Sequence, residues 1–240
     1  DAVGQRRNWT QNIASLLHIF ATAIANSLSR RREKELKEDI EQLKSTLSGV
    51  TNALSSVVGM RDAYTAGHQE NVAEISVDIA RKLGFSKERI EQIRTAALLH
   101  DIGKISTPPA ILNETGELNE EEYEIIKRHP MNGYEILSDI DYRGAIAKIV
   151  LQHHERLDGS GYPNGLTSEE ILPEAKILAV ADAFEAMTSH RPYRPAYSVE
   201  EALKIMNEEQ AADDGLKFDE NSLRALKQLI KEENQDIYSD

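Results

Sequence analysis

Five histidines and two aspartates between positions 68 and 182 could do chemistry together, and most stand beside an apolar run. His100-Asp101 ends the run Ala96-Ala97-Leu98-Leu99. His153-His154 ends the run from Ile146 to Leu151, and Asp182 lies inside a third, from Ile177 to Ala183. His68 follows Tyr64-Thr65-Ala66-Gly67, and His129 precedes Pro130. A lone histidine on an apolar face is usually a satisfied core residue. An aspartate in an apolar helix is costly unless a cation or hydrogen bonds compensate it, and several such residues suggest one shared compensating charge. The chain has no cysteine, which excludes disulfides, zinc-thiolate sites, iron–sulfur clusters and a thiol nucleophile. Histidine and aspartate alone suit divalent Fe, Mn, Ni, Co or Zn. One carboxylate has two oxygens and can bridge two ions. Two ions about 3.5–4 Å apart can share a water, lower its pKa from about 15.7 toward about 7 and clamp a phosphate oxygen. That chemistry would supply a hydroxide nucleophile without a serine or cysteine.

The composition agrees with a helical framework. Aromatics are only 5% of the 240 residues, hydrophobic residues are 40%, and Ala, Leu, Ile, Glu and Lys are plentiful, a mix that favours helix over a β-sandwich. The formal net charge is −13, so DNA, RNA and anionic membrane surfaces are poor partners for the chain as a whole. The charge is uneven: residues 1–32 carry five Arg and one Asp, a net +4, leaving −17 for residues 33–240. The chain begins at Asp1 and reads as a piece of something longer. It has no recognisable export signal, so a cytoplasmic location is expected.

The elements that must position the seven residues follow from periodicity. Ile13, Leu16, Leu17, Phe20, Ile24 and Leu28 make an amphipathic helix over 9–28, followed by Arg30-Arg31-Arg32. This helix either packs on another domain or lies at a membrane interface flanked by arginines. Its apolar stretch, interrupted by His18, Thr22 and Asn26, reads as too short and too polar for a membrane span, and membrane contact is not expected. Leu36, Ile40, Leu43, Leu47, Val50, Leu54 and Val57 then step by 4, 3, 4, 3, 4, 3, a heptad seam with polar residues between. So narrow a stripe fits a parallel homodimer better than a helix lying on its own domain. From Gly59 onward, short helices follow one another. Val72, Ile75, Ile79 and Leu83 form one stripe. Ser86 caps the next helix, Asn119-Glu120-Glu121-Glu122 opens another, and further helices are expected at 130–138, 142–155, 173–189, 198–209 and 219–233. No alternating segment is long enough for a sheet, and DGSGYPNGL at 158–166 reads as a glycine-rich loop.

Taken together, the motifs DAYTAGH (62–68), HDIGK (100–104), Pro109 through Leu112, His129-Pro130 with Gly133-Tyr134, HHERLDGSGYP (153–163), Asp182 and Arg191-Pro192-Tyr193-Arg194 resemble those of an HD-GYP domain, a branch of the HD phosphohydrolase superfamily. The resemblance covers residues 60–225. It implies an all-α helical bundle preceded by a long coiled-coil helix, and a metal-dependent phosphodiesterase that opens cyclic di-GMP to linear pGpG, with or without a second cut to GMP, through a metal-bridging hydroxide. The alternatives are another cyclic dinucleotide, such as cyclic GMP-AMP, or a non-catalytic module that binds nucleotides or partners.

Carried over residue by residue, the resemblance makes His68, His100, Asp101, His129, His153, His154 and Asp182 the ligands of two divalent ions, Fe or Mn ahead of Ni, Co or Zn, with Asp101 bridging. Tyr64 stands where some members have a Glu that holds a third ion, so two are expected. Lys104 is implied to contact the scissile phosphate, a role suited to charge developing in phosphoryl transfer. Arg191 and Arg194 would bind substrate phosphates through their guanidinium forks. Tyr162, in Gly161-Tyr162-Pro163, would stack on a base or fold over the site, and the family also uses this loop for protein contacts. Leu157, His190 and Asn71 depart from a frequent Trp, Asp and Arg, and Asp213 to Asp219 matches the family's closing motif only loosely. Residues 1–32 resemble the last helix of a GAF-type sensor. The expected organisation is sensor helix 1–32, coiled-coil helix 33–58 and catalytic domain 59–240.

Overall fold

The computed structural model describes residues 2–61, 67–114, 116, 118–140, 145–190, 195–210 and 216–237, with side-chain surroundings for most residues from 12 onward. Tyr64, Arg191, Arg194 and residues 211–215 lie outside the described residues. The chain divides into two units, Asp1–Val50 and Thr51–Asp240.

The first unit is helix throughout its described length, because α1 runs Ala2–Arg61. The Arg30-Arg31-Arg32 run does not end it. Arginine is a good helix former, and i,i+4 pairs such as Arg31–Glu35, Lys34–Glu38 and Glu33–Lys37 line the surface that follows. No break therefore separates residues 1–32, expected as a sensor helix, from residues 33–58, expected as a coiled-coil helix, among the described residues. Ile13, Leu16, Leu17, Phe20, Ile24 and Leu28 are exposed, as are Leu36, Ile40, Leu43, Leu47 and Val50 of the seam. Within Asn12–Met60 an 18-residue window reaches a mean hydropathy of 1.2 with at most two charged residues, which satisfies the length and composition of a crossing helix.

In the second unit short helices surround one that is buried on most sides. α2 (His68–Lys82) packs against α3 (Lys87–Leu99) and α8 (Pro173–Thr188). A 3₁₀ turn (Ile102–Ser106) and α7 (Ile146–Gln152) both pack on α6 (His129–Ser138). α4 (Pro109–Leu112) and α5 (Glu120–Ile126) lead into α6, α9 (Val199–Gln210) lies on α8, and α10 (Glu220–Ile237) closes over α2 and α8. Among the described residues no strand forms; an isolated bridge joins Asp158 and Thr167. The all-α expectation holds.

The caps are those the sequence marks. Ser86 accepts from the Arg89 amide, and Asn119 and Glu122 form a reciprocal capping box. α8 buries Ala175, Ile177, Leu178, Val180, Ala181 and Phe184. A helix apolar on most faces belongs in the middle of a domain, and α8 also carries two buried carboxylates, Asp182 and Glu185. Ile79, Ile93, Leu99 and Ile149 of the neighbouring helices are fully buried in the same core.

Gly103 fixes the approach of the 3₁₀ turn to α6. A Cβ there would stand 2.0 Å from the His129 carbonyl oxygen and 2.5 Å from the Gly133 amide nitrogen. With no side chain at 103, the His100-Asp101 and His129 backbones can come together.

Candidate metal centre

The seven side chains expected at the site come from six elements and meet in one place. His100 caps the C-terminus of α3, and Asp101 opens the 3₁₀ turn. His129 begins α6, His153 caps α7 with His154 beside it, Asp182 lies in α8 and His68 begins α2. Helix ends suit these residues, because a chain leaving a helix can turn a side chain inward without interrupting the backbone ladder.

Three of the histidines are held in the same way. His100 Nδ1 faces the Ala97 carbonyl oxygen at 2.6 Å, His129 Nδ1 that of Ile126 at 2.8 Å, and His153 Nδ1 that of Val150 at 2.6 Å. A carbonyl only accepts, so each Nδ1 carries the proton and donates, leaving each Nε2 as a bare lone pair. Burial, outweighing the pull of Asp101, lowers His129 to about 4, and burial with the neighbouring His100 and His129 lowers His153 to about 3. Both rings are therefore neutral near pH 7.

The lone pairs converge. His129 Nε2 and His153 Nε2 stand 3.2 Å apart, two acceptors with no donor between them. His100 Nε2 is buried with no hydrogen-bond partner. It lies 3.5 Å from Asp101 Oδ2 and 3.9 Å from Asp182 Oδ1, while His129 Nε2 lies 3.5 Å from Asp101 Oδ1. Asp101 thus turns one oxygen to each histidine. One potential ligand atom each from His129, His153 and His154 lies within 4.8 Å of the others, and the same is true of His68, His100 and Asp101. Buried lone pairs facing one another beside two carboxylates fit a divalent cation, and a nitrogen and oxygen donor set without thiolate fits the borderline ions.

His68 is held differently, by a carboxylate. Its Nδ1 donates to Glu185, and its Nε2 lies 3.3 Å from Asp182 Oδ1. Burial opposes a charged ring here, but Asp182 and Glu185 overcome it and raise His68 to about 10. A proton and a metal ion compete for that Nε2. Burial also opposes the charges of Asp101 and Asp182. Lys104 and the facing histidines hold Asp101 well below the usual carboxylate range, and His68, His100 and His154 do the same for Asp182.

Glu185 did not emerge from the sequence. It also accepts from Asn71 at 3.2 Å and Ser189 at 2.6 Å, so Asn71 reaches the site through it. The available signal was its place three residues after Asp182, on the same face of a buried helix. Glu155 was missed as well. Buried, it accepts from the Asn164 amide at 2.8 Å and the Leu166 amide at 2.9 Å and so ties down the glycine-rich loop. Arg156 binds the carbonyls of His153 and Glu155, and Asp158 accepts from Ser160.

The loop sets Tyr162 over the site. A Cβ at Gly161 would fall 2.3 Å from the Arg156 amide nitrogen, so the loop lies directly on the backbone after His154. Tyr162 donates its amide to the His154 carbonyl at 3.2 Å and sets its ring 4.8 Å from that of His154 and 6.5 Å from that of His129. Burial pushes its phenol pKa up, so it remains an uncharged wall. Lys104 returns one turn after Asp101, its Nζ 2.7 Å from Asp101 Oδ2.

The HD domain family matches residues 52–219, a span that holds all seven of these residues. The chain belongs to the HD domain family. Among its relatives, the cyclic di-GMP phosphodiesterase response regulator RpfG of Xanthomonas campestris is 41% identical over 84% of this chain and 52% of its own length. The 3'3'-cGAMP-specific phosphodiesterase 1 of Vibrio cholerae is 35% identical over 81% of this chain and 44% of its own. The chain therefore spans about half the length of these curated relatives. The HD domain of the phosphodiesterase PgpH from Listeria monocytogenes superposes with a TM-score of 0.56 at 20% identity, covering 77% of this chain and 98% of that domain. It shows that the second unit has the HD fold.

Proposed function

We propose that this HD-domain chain is a metal-dependent phosphodiesterase that opens cyclic di-GMP to linear pGpG. The observation that carries the reading is the convergence of the unprotonated Nε2 atoms of His100 and His129 on Asp101, with Asp182 beside His100 and His153 Nε2 facing His129 Nε2. Similarity to a cyclic di-GMP phosphodiesterase supports the substrate. His68, His100, Asp101, His129, His153, His154 and Asp182 would hold two divalent ions, Fe or Mn ahead of Ni, Co or Zn, with Asp101 between them. When bound, such ions supply a water acidified toward neutral pH and positive charge for the phosphoryl oxygens.

The chain's own groups do the rest. Lys104 neutralises Asp101 and would set its ammonium charge against a phosphate oxygen on the same side. The backbone carbonyls of Ala97, Ile126 and Val150 fix each imidazole so that no proton must leave Nε2 before ligation. Tyr162 covers His154 and keeps bulk water from that side. Arg191 and Arg194 are proposed to grip the substrate phosphates as bidentate forks.

A second reading, 3'3'-cyclic GMP-AMP as substrate, is favoured by the Vibrio relative named for it. Side-by-side turnover of the two dinucleotides by metal-loaded protein, followed by chromatography, decides between them. A kcat/KM at least tenfold higher for cyclic di-GMP is expected, and the reverse preference would install the second reading. Turnover of neither, with metal bound, would leave a binding module.

The exposed seam on α1 supports a parallel homodimer. Residues 1–32 are proposed to continue a sensor whose state this helix passes on, and the exposed edge of the glycine-rich loop to meet protein partners. The proposed setting is the cytoplasm.

A further inference from the structure

From the way one lysine sits across two tyrosine rings beside the metal centre, we infer that Tyr123, Lys127 and Tyr162 form a clamp for a purine-bearing phosphodiester. The inference rests on the phosphodiesterase reading of the same site.

Lys127 Nζ lies 4.7 Å from the centre of the Tyr123 ring and 5.9 Å from that of Tyr162. Either contact alone would be ordinary for a surface lysine. Their position sets them apart. Tyr162 is seated on His154, so the pair of rings leads from solvent to the ligand cluster. Lys127 follows Ile126, whose carbonyl holds His129, so one turn between α5 and α6 sets both the lysine and a proposed ligand. Tyr123 is 48% exposed, a large flat ring that the domain leaves open to solvent near the half-buried Tyr162.

The chemistry matches the substrate class. An open aromatic face stacks on a nucleobase with a contribution of about 1–3 kcal/mol per base. A lysine ammonium is a point charge suited to a phosphate oxygen, and Lys127 can exchange its exposed pairing with Glu124, at 2.7 Å, for a phosphate at little cost. Lys104 and the metal ligands address the scissile phosphate. The clamp would hold the neighbouring base and the second phosphate of a cyclic dinucleotide. It acts in binding and touches no reacting atom, so Tyr123 and Lys127 are positioning residues.

The test compares the metal-loaded full chain with its Tyr123→Ala, Tyr123→Phe, Lys127→Ala and Lys127→Arg variants on cyclic di-GMP and on methyl p-nitrophenyl phosphate, a diester without a purine. Metal content is measured on each sample. Tyr123→Ala and Lys127→Ala are expected to raise KM for cyclic di-GMP about tenfold, with a much smaller change in kcat. The KM increase should be at least fivefold larger for the dinucleotide than for the simple diester. Tyr123→Phe and Lys127→Arg should restore KM to within about threefold of wild type. Wild-type turnover of cyclic di-GMP with an unchanged KM in both alanine variants would overturn the clamp and leave the phosphodiesterase reading standing. Equal KM increases on the two substrates would also overturn it. A metal-loaded wild type that cleaves the simple diester but no cyclic dinucleotide would overturn the substrate reading and the clamp together.

Discussion

The metal-ligand cluster and the outer stripe of α1 break opposite rules of burial. In the cluster, histidines and carboxylates are buried beyond what their own hydrogen bonds satisfy, down to His100 Nε2 with no partner. On α1, large apolar side chains stay in solvent: Leu43 is 60% exposed and Leu47 58%. Buried polarity calls for a counter-charge and exposed apolarity for a matching surface. Each region therefore names the chemistry of what completes it, a divalent cation in one and a second helix in the other. The cation would complete a site built from six elements, whereas the second helix would complete a surface that one long element presents by itself.

The sharpest way to break this contrast is to remove the group that joins the two halves of the cluster. Asp101→Asn keeps the shape of the side chain and removes its charge. Turnover of cyclic di-GMP should fall at least about 10³-fold with the circular dichroism spectrum retained. Activity within tenfold of wild type would separate Asp101 from the chemistry.

A smaller effect is expected one step outward. Glu185→Gln leaves all seven proposed ligands in place and weakens the hold on His68 Nδ1. Metal affinity, read by competition with a chelator, should fall about 10- to 100-fold, while kcat at saturating metal falls much less.

On the other side of the comparison, Leu43→Asp puts a charge into the seam. Loss of one buried leucine costs a dimer roughly 2 kcal/mol or more, which is about 30-fold in dissociation constant. Sedimentation velocity should show the dimer giving way to monomer at micromolar concentration. A wild type that is monomeric throughout that range would leave the stripe without its second copy.

The smallest effect is in pH. In the metal-free protein the folded pKa values of His129 and His153, about 4 and about 3, lie below the ordinary value of 6.5. The unfolded chain then binds protons that the folded one refuses, so their contribution is present above pH 6.5 and is lost as pH falls toward 4 and 3. His68, raised to about 10, runs the other way: its contribution is full below pH 6.5 and lost as pH rises through 10. The thermal midpoint of the metal-free protein should decline from pH 6.5 to 4. A flat or rising midpoint over that range would contradict neutral burial of His129 and His153.

What the sequence disclosed and what it withheld follow the range of the forces involved. Caps are local, so Ser86 and the Asn119–Glu122 box are legible from a few residues. Most of the proposed ligands stand at helix ends, where an apolar run stops on His100-Asp101 or His153-His154, and that too is local; Asp182 lies within α8. Helix boundaries near the site were less exact. Of a helix expected over 142–155, residues 142–144 lie outside the described residues, and the helix Ile146–Gln152 ends short of 155, because the next two residues turn inward as His153 and His154. Glu185 and Glu155 escaped notice because their partners are remote in sequence, His68 in one case and the Asn164 and Leu166 amides in the other. The continuity of α1 through Arg30-Arg31-Arg32 was also missed. A basic run reads as a boundary by composition, yet its residues are good helix formers that pair one turn onward.

The central claim is that the cluster is a dinuclear metal site that works on cyclic di-GMP. Its most direct test is elemental analysis and cyclic di-GMP turnover on a single anaerobically purified sample. The account predicts about two ions of Fe or Mn per chain, linear pGpG as product, and loss of both metal and turnover on chelation. A protein that binds no metal after Fe or Mn is supplied, or that turns over the substrate equally well without it, would contradict the account.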